Sequence, residues 1–183
     1  MSLKKKMEED KSLPLREGAK NLVFGEGDHD ASIYFLGEAP GRFEDRLGRP
    51  FVGQAGKLLD KLLARIGTKR SDVYISNIVR FRPPDNRQPT PSEIAAFLPY
   101  VDREIEIIHP KLIVTLGRFS MTKFLPDSKI SDTHGKLHKV RWHKKAIHIL
   151  PLYHPAAALR NGRMRAALEE DFAKIPKVLH ADV

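Results

Sequence analysis

The chain has 183 residues, the size of one α/β domain, and an apolar content of 41% is that of an ordinary packed core. Thirty-two Lys and Arg against 23 Asp and Glu leave a formal charge of +9, which favours a polyanionic partner because each cation near a phosphate releases a counterion. There is no cysteine, so disulfides, thiolate metal sites and cysteine nucleophiles are excluded.

Met1–Asp10 is basic, then acidic, with no apolar stretch after it. Neither a signal peptide nor a membrane anchor is expected there, and residues 1–9 read as a flexible extension of a single domain spanning 1–183. The chain is therefore expected to be cytoplasmic; it is also expected to be a monomer. The first strand is predicted at Ile33–Leu36, followed by a glycine-rich loop from Gly37. Leu58, Leu59, Leu62, Leu63 and Ile66 keep the spacing of one buried helix face, with Gly67 placed to end it. A second strand, Val73–Val79, carries Asn77 near its end. Thr90-Pro91-Ser92-Glu93 combines a capping box with proline in the first turn, opening a helix that Pro110 should stop at about His109. Leu112–Leu116 is a third strand, Arg118–Leu125 a helix, Ile147–Leu150 a fourth strand and Arg163–Lys174 the last helix.

Strands alternating with helices predict an α/β fold of three layers, with a central, mainly parallel four-stranded sheet between helices. Ligands of such sheets sit beyond the carboxyl ends of the strands. Gly37–Gly41, Asn77 and His154-Pro155 all follow strand ends, so three polar clusters should meet on one rim.

Gly37-Glu38-Ala39-Pro40-Gly41, then Glu44-Asp45, then Gly48-Arg49-Pro50-Phe51-Val52-Gly53-Gln54-Ala55-Gly56 is a specific string, in which the glycines allow tight turns and close backbone approach. It resembles motif A of the family 4 uracil-DNA glycosylases. The resemblance continues through Asn21–Gly27, Ser76–Arg80, Arg82–Arg87 and Tyr153–Arg160, and covers roughly residues 10 to 175. It implies the uracil-DNA glycosylase fold, and a repair enzyme that flips uracil out of DNA, hydrolyses its N-glycosidic bond and leaves an abasic site. The implied partners are uracil-containing DNA and free uracil, in a bacterial or archaeal cytoplasm with the nucleoid.

The chemistry asks for an aromatic face for the base, a group that reads its edge, and donors aimed at the charge that develops on it. Phe51 offers the face and by resemblance stacks on uracil. Asn77 carries a donor and an acceptor on one amide, matching uracil O4 and N3–H, whereas cytosine presents the opposite pattern. His154 is expected to donate to uracil O2 while neutral. Better-known uracil glycosylases place a water-orienting aspartate where Ala39 stands, and family 4 shares the alanine; Glu38 is the first candidate for that role and Glu44 the second. Gly41 stands where those enzymes set a tyrosine against the thymine methyl, and the family comparison points to Glu44 as the substitute wall. The loop after His154 should wedge into DNA. Ala158 holds the place of a leucine in other families, which leaves the wedge to Leu159 or Arg160. Arg160, Arg163 and Arg165 are natural phosphate contacts. Arg80, Arg82, Asn86 and Arg87 belong to a second basic loop.

The family binds an iron–sulfur cluster through four cysteines. Aligning the motifs puts those positions at Asp10, Leu13, Phe81 and Phe97, so no cluster and no other cofactor or metal is expected. Leu13, Phe81 and Phe97 should touch in a small satellite core, with Asp10 outside it, exposed or paired with a Lys or Arg. The alternatives are a glycosylase for other deaminated bases, such as hypoxanthine, and a non-catalytic uracil- or damage-binding DNA protein. The superfamily branch that traps uracil covalently uses a histidine after the second strand, and Arg80–Pro91 holds none.

Overall fold

The computed structural model describes residues 2–181. In chain order its main elements are α1 (Leu3–Glu9), β1 (Glu26–Gly27), β2 (Ile33–Gly37), α2 (Arg42–Leu47), α3 (Gln54–Arg65), β3 (Tyr74–Asn77), α4 (Pro91–Ile108) and β4 (Leu112–Leu116). They continue as α5 (Arg118–Thr122), α6 (Ile130–Thr133), β5 (His138–Trp142), β6 (Lys145–Leu152), α7 (Pro155–Ala158), α8 (Gly162–Phe172) and α9 (Ile175–His180). The four predicted strands form the parallel centre of the sheet, β3-β2-β4-β6. The sheet has six strands rather than the expected four, because β1 and β5 add antiparallel edges. β1 is two residues long, too short to leave a periodic signature, and β5 alternates half-buried with exposed residues as a one-sided edge strand does.

Alternation along the strands builds the layers. Ile33 and Phe35 of β2 enter one core with Leu59, Leu62 and Phe172, while Tyr34 and Leu36 enter another with Phe97, Val101 and Ile105. The sheet is thus covered on both faces, by α3 and α8 on one and α4 on the other. α4 starts as its sequence dictates: Thr90 Oγ1 accepts from Glu93 N–H at 3.2 Å, and Glu93 Oε2 accepts from Thr90 N–H at 2.8 Å. It ends at His109, which takes the left-handed conformation at φ 52° before Pro110.

Three expectations are corrected here. Residues 1–9 were expected to be a flexible extension, yet from Ser2 onward they form α1, capped by Ser2, with Met7 fully buried in the core beside α4. Arg16 fastens this helix by donating to the carbonyls of Met7 (2.8 Å) and Asp10 (3.0 Å). One apolar residue in a charged heptapeptide carries no readable period, so only packing reveals the helix. Arg80, placed by its sequence neighbours in a basic surface loop, is completely buried. Its guanidinium meets both oxygens of Glu104 at 2.6 and 3.1 Å, and the same carboxylate accepts from Tyr34 Oη (2.5 Å) and Tyr74 Oη (3.0 Å). Glu104 therefore neutralises and orients a charge that would otherwise be costly to bury.

The four cluster positions are the third. Leu13, Phe81 and Phe97 are buried together, with the two rings tilted at 6.2 Å, but in the main core of this sheet face with Tyr34, Leu36 and Ile113 rather than in a small satellite core. Asp10 lies outside it, but its carboxylate takes the Tyr100 hydroxyl (2.6 Å) and Ser12 rather than a Lys or Arg side chain. These four residues do not fit an iron–sulfur cluster: three have no ligand atom, and the fourth is a hard carboxylate already engaged.

Candidate functional site

β2 and β3 run in parallel register, and Gly37 pairs with Asn77 at their carboxyl ends. From there the chain after β2 turns into Glu38–Gly41, while Gly37 and Glu38 carbonyls accept from the N–H groups of Ile78 and Val79 at 3.0 Å each. Gly37 has a steric reason to be glycine. A Cβ there would lie 2.4 Å from Asn77 Oδ1 and 2.6 Å from the Phe51 ring. The bare backbone lets a polar amide and an aromatic ring close on the same point.

That point is the floor of a cleft of about 430 Å³, lined among others by Glu38, Glu44, Phe51, Asn77, His154 and Arg160. Asn77 is only 2% exposed, and its Oδ1 is buried with no hydrogen-bond partner among the described residues. An unpaired acceptor in such a place carries a desolvation cost that a ligand N–H would remove. The Phe51 ring lies near parallel to the His154 imidazole, with centroids 5.7 Å apart and planes inclined by 25°.

His154 follows β6 and caps α7. Its Nδ1 accepts from the Ala156 N–H at 3.0 Å, so the imidazole proton sits on Nε2. Burial pushes its pKa down to about 4, against the opposing pull of the Glu44 charge. The ring is therefore neutral at pH 7 and presents a single N–H donor.

The two acidic candidates are held differently. Glu44 is buried, and its oxygens accept from three backbone N–H groups: Gly41 at 3.1 Å, Val52 at 2.9 Å and Gly53 at 2.8 Å. It thereby ties the first turns of α2 and α3 together. Added to Gly41, a Cβ would meet Glu44 Oε2 at 2.9 Å, so the carboxylate fills the space beside Gly41. Glu38 is partly exposed to the cleft and, among the described residues, its carboxylate has no hydrogen-bond partner. Burial raises its pKa, and the nearby Arg118 charge works against that rise. Ala39 lines the same wall.

The expected DNA contacts separate. Arg160 is exposed at the cleft edge and Leu159 is 44% exposed beside it, whereas Ala158 is 2% exposed and belongs to the core under α7. Ala158 is thus withdrawn as a DNA contact: the helical turn after His154 points it inward. Arg163 is exposed, and Arg165 is exposed but paired with Glu169 at 3.1 Å. Across the cleft, Arg82 holds Asn86 Oδ1 at 2.7 Å, and Arg87 grips both oxygens of Glu93 at 2.7 and 2.8 Å. Asp85 and Asn86 both adopt positive φ, 54° and 56°, which sets the shape of that loop. Arg118 was missed by sequence reasoning, which treated it only as a helix start. It reaches Gln88 Oε1 at 2.9 Å and stands near Glu38. Its place directly after β4 was the signal, since that is another strand end on the same rim. Among the described residues, no cluster of histidine and carboxylate side chains is arranged to hold a metal ion.

Residues 24–179 match the family model described as the uracil DNA glycosylase superfamily. The type-4 uracil-DNA glycosylase of Sulfurisphaera tokodaii is 51% identical over 162 residues, covering 85% of this chain and 73% of that protein. Those of Archaeoglobus fulgidus (47%; 88% of this chain, 83% of that protein) and Thermotoga maritima (44%; 88% and 84%) are also similar.

Proposed function

The chain belongs to the type-4 uracil-DNA glycosylases of the uracil DNA glycosylase superfamily, and we propose that it excises uracil from DNA by hydrolysis of the N-glycosidic bond. The observation that carries this reading is the meeting of Phe51, the unpaired Asn77 Oδ1 and the Nε2–H of neutral His154 in one cleft.

The uracil nucleotide leaves the duplex at a cost of a few kcal/mol, which is lowest at a mismatch. Its base stacks on Phe51. Asn77 Oδ1 accepts from uracil N3–H and the amide nitrogen donates to O4; cytosine, with an acceptor at N3 and an amino group at C4, would face like against like. As the bond between N1 and C1′ lengthens, negative charge grows on the base and positive charge on the sugar. His154 Nε2–H donates to O2 and stabilises the departing anion without giving up its proton. Glu38 orients water toward C1′ and takes its proton, which finally resides on the released uracil. A desolvated carboxylate is a stronger base than a solvated one. Glu44 is the wall beside the base C5 position, held there by three amides that occupy most of its acceptor sites, which leaves Glu38 the better placed to hold a water.

Arg160, Arg163 and Arg165 hold phosphates on one side and Arg82, Asn86 and Arg87 on the other, with Leu159 as the wedge. The Arg87 side of its pair with Glu93 is exposed and screened by solvent, so a phosphate can compete for the guanidinium. The enzyme acts as a monomer in the cytoplasm and needs no cofactor. Among the described residues no helix is long and apolar enough to cross a membrane, and a chain without cysteine cannot ligate a cluster through thiolates. The decisive experiment is uracil release from a uracil-containing oligonucleotide by the purified chain after chelator treatment. Binding of that DNA without release would favour a damage-binding protein instead, and release of hypoxanthine in preference to uracil would favour another deaminated base.

A further inference from the structure

Phe51 has φ 49°, in the left-handed region that bulky residues seldom occupy. Its carbonyl lies so close to α3 that a Cβ on Gly56 would fall 1.9 Å from the oxygen. The polar backbone groups around this residue are held from two sides. Toward the cleft, Glu44 takes the Val52 and Gly53 N–H groups at 2.9 and 2.8 Å. Away from it, Arg70 Nη1 donates to the Phe51 carbonyl at 2.9 Å and Nη2 donates to the Pro50 carbonyl.

Arg70 is itself aimed. Glu26 Oε1 accepts from its Nε and Nη2 at 3.1 and 3.0 Å, and Asp60 Oδ1 accepts from Nη1 at 2.9 Å. The Glu26 carboxylate also takes Arg49, two residues before Phe51, at 2.8 and 3.0 Å. Glu26 sits on the two-residue strand β1, whose pairing with β3 fixes where this carboxylate stands. Arg70 does not line the cleft, so any influence on the base must pass through the Phe51 backbone.

We propose that Arg70, oriented by Glu26, is a positioning residue for the base platform: it holds Phe51 in the backbone conformation that faces the ring into the cleft. This rests on the reading of Phe51 as the surface on which uracil stacks. Lysine can substitute only in part, because a single ammonium cannot span two carbonyls and two carboxylates in the plane that a guanidinium covers.

The test measures single-turnover excision from a uracil-containing oligonucleotide and inhibition by free uracil, with the melting temperature of each variant followed. Arg70→Ala, Arg70→Lys and Glu26→Gln are compared with the parent, and Arg70→Ala again in a Phe51→Ala background. Arg70→Ala is expected to slow excision about 10- to 100-fold and to weaken inhibition by uracil, as a small misplacement of a reacting group does. Arg70→Lys should fall between parent and alanine, and Glu26→Gln should move the same way by less. In the Phe51→Ala background the further loss should shrink to about twofold or less, because the platform is already gone. Full excision and full uracil inhibition in Arg70→Ala, beside a strong defect in Phe51→Ala, would overturn the positioning role alone. An equal loss from Arg70→Ala with and without the Phe51 ring would overturn it as well. Unchanged excision in Phe51→Ala would instead remove the platform reading, and this proposal with it. Should Arg70→Ala fail to fold, Arg70→Lys carries the same comparison in both backgrounds.

Discussion

Gly37 and Asn77 are partners in parallel register, and the Asn77 amide oxygen lies only 2.4 Å from where a Cβ on Gly37 would be. Gly37→Ala should therefore push the Asn77 amide and the Phe51 ring out of place. Single-turnover excision should fall by about two orders of magnitude, the cost of misplacing a reacting geometry by roughly 1 Å. Asn77→Asp should act by chemistry instead, since a carboxylate cannot donate to uracil O4. It should slow uracil release and weaken discrimination against cytosine. Full turnover in either variant would remove Asn77 from the site.

The pH profile should separate Glu38 from His154. Burial raises the Glu38 pKa and Arg118 opposes that rise, so excision should fall with decreasing pH through a value above that of an ordinary glutamate. Arg118→Gln removes the opposing charge and should move this acid limb to higher pH. Glu38→Gln should lower the rate and abolish the limb. His154, with a pKa of about 4, stays neutral across this range and adds nothing to it until the pH nears 4.

The same histidine makes a stability prediction. Burial holds its folded pKa below the 6.5 of an ordinary imidazole, so between pH 6.5 and about 4 the unfolded chain binds a proton that the folded chain does not. Stability must then fall as pH falls through that window. His154→Gln should flatten this part of the stability–pH curve in urea titrations.

Binding to duplex DNA should weaken with salt, with a log–log slope of roughly −0.9 for each phosphate neutralised. Arg160→Ala should reduce the slope by about one unit. Arg165→Ala should reduce it by less, because Glu169 already competes for that guanidinium. An unchanged slope in Arg160→Ala would place the DNA path elsewhere.

Phe97→Ala should cost about 3–5 kcal/mol, the usual loss for a fully buried ring. Glu104→Ala should cost a similar ~3–5 kcal/mol by leaving Arg80 charged and unpaired in the core. Both should lower the midpoint of urea unfolding. Phe97→Ala should leave single-turnover excision nearly unchanged, since Phe97 packs in the core on the α4 face of the sheet and does not line the cleft.

The amino-acid sequence determined a good deal of this protein without help. Four apolar runs separated by helical periods define the parallel centre of the sheet, because strand and helix periodicity are local properties. Thr90 and Glu93 mark the start of α4 for the same reason. Phe51, Asn77 and His154 are legible as a group because each sits at a loop or strand end in a motif string too specific to be a generic turn. What tertiary structure alone decided concerns side chains whose partners are far away in the chain. Arg80 and Arg87 look alike in sequence, yet Arg80 is buried against Glu104, 24 positions later, while Arg87 stays in solvent. Arg70 passes as an ordinary surface cation until Glu26, 44 positions earlier, turns it toward the Phe51 carbonyl. Met7 stands alone among charged residues and Ala158 in a loop expected to meet DNA, and both prove buried. The tautomer of His154 depends on where the Ala156 N–H falls once α7 has turned. A charge, a proton or a lone methyl has no period, so its place is decided only when distant segments close around it.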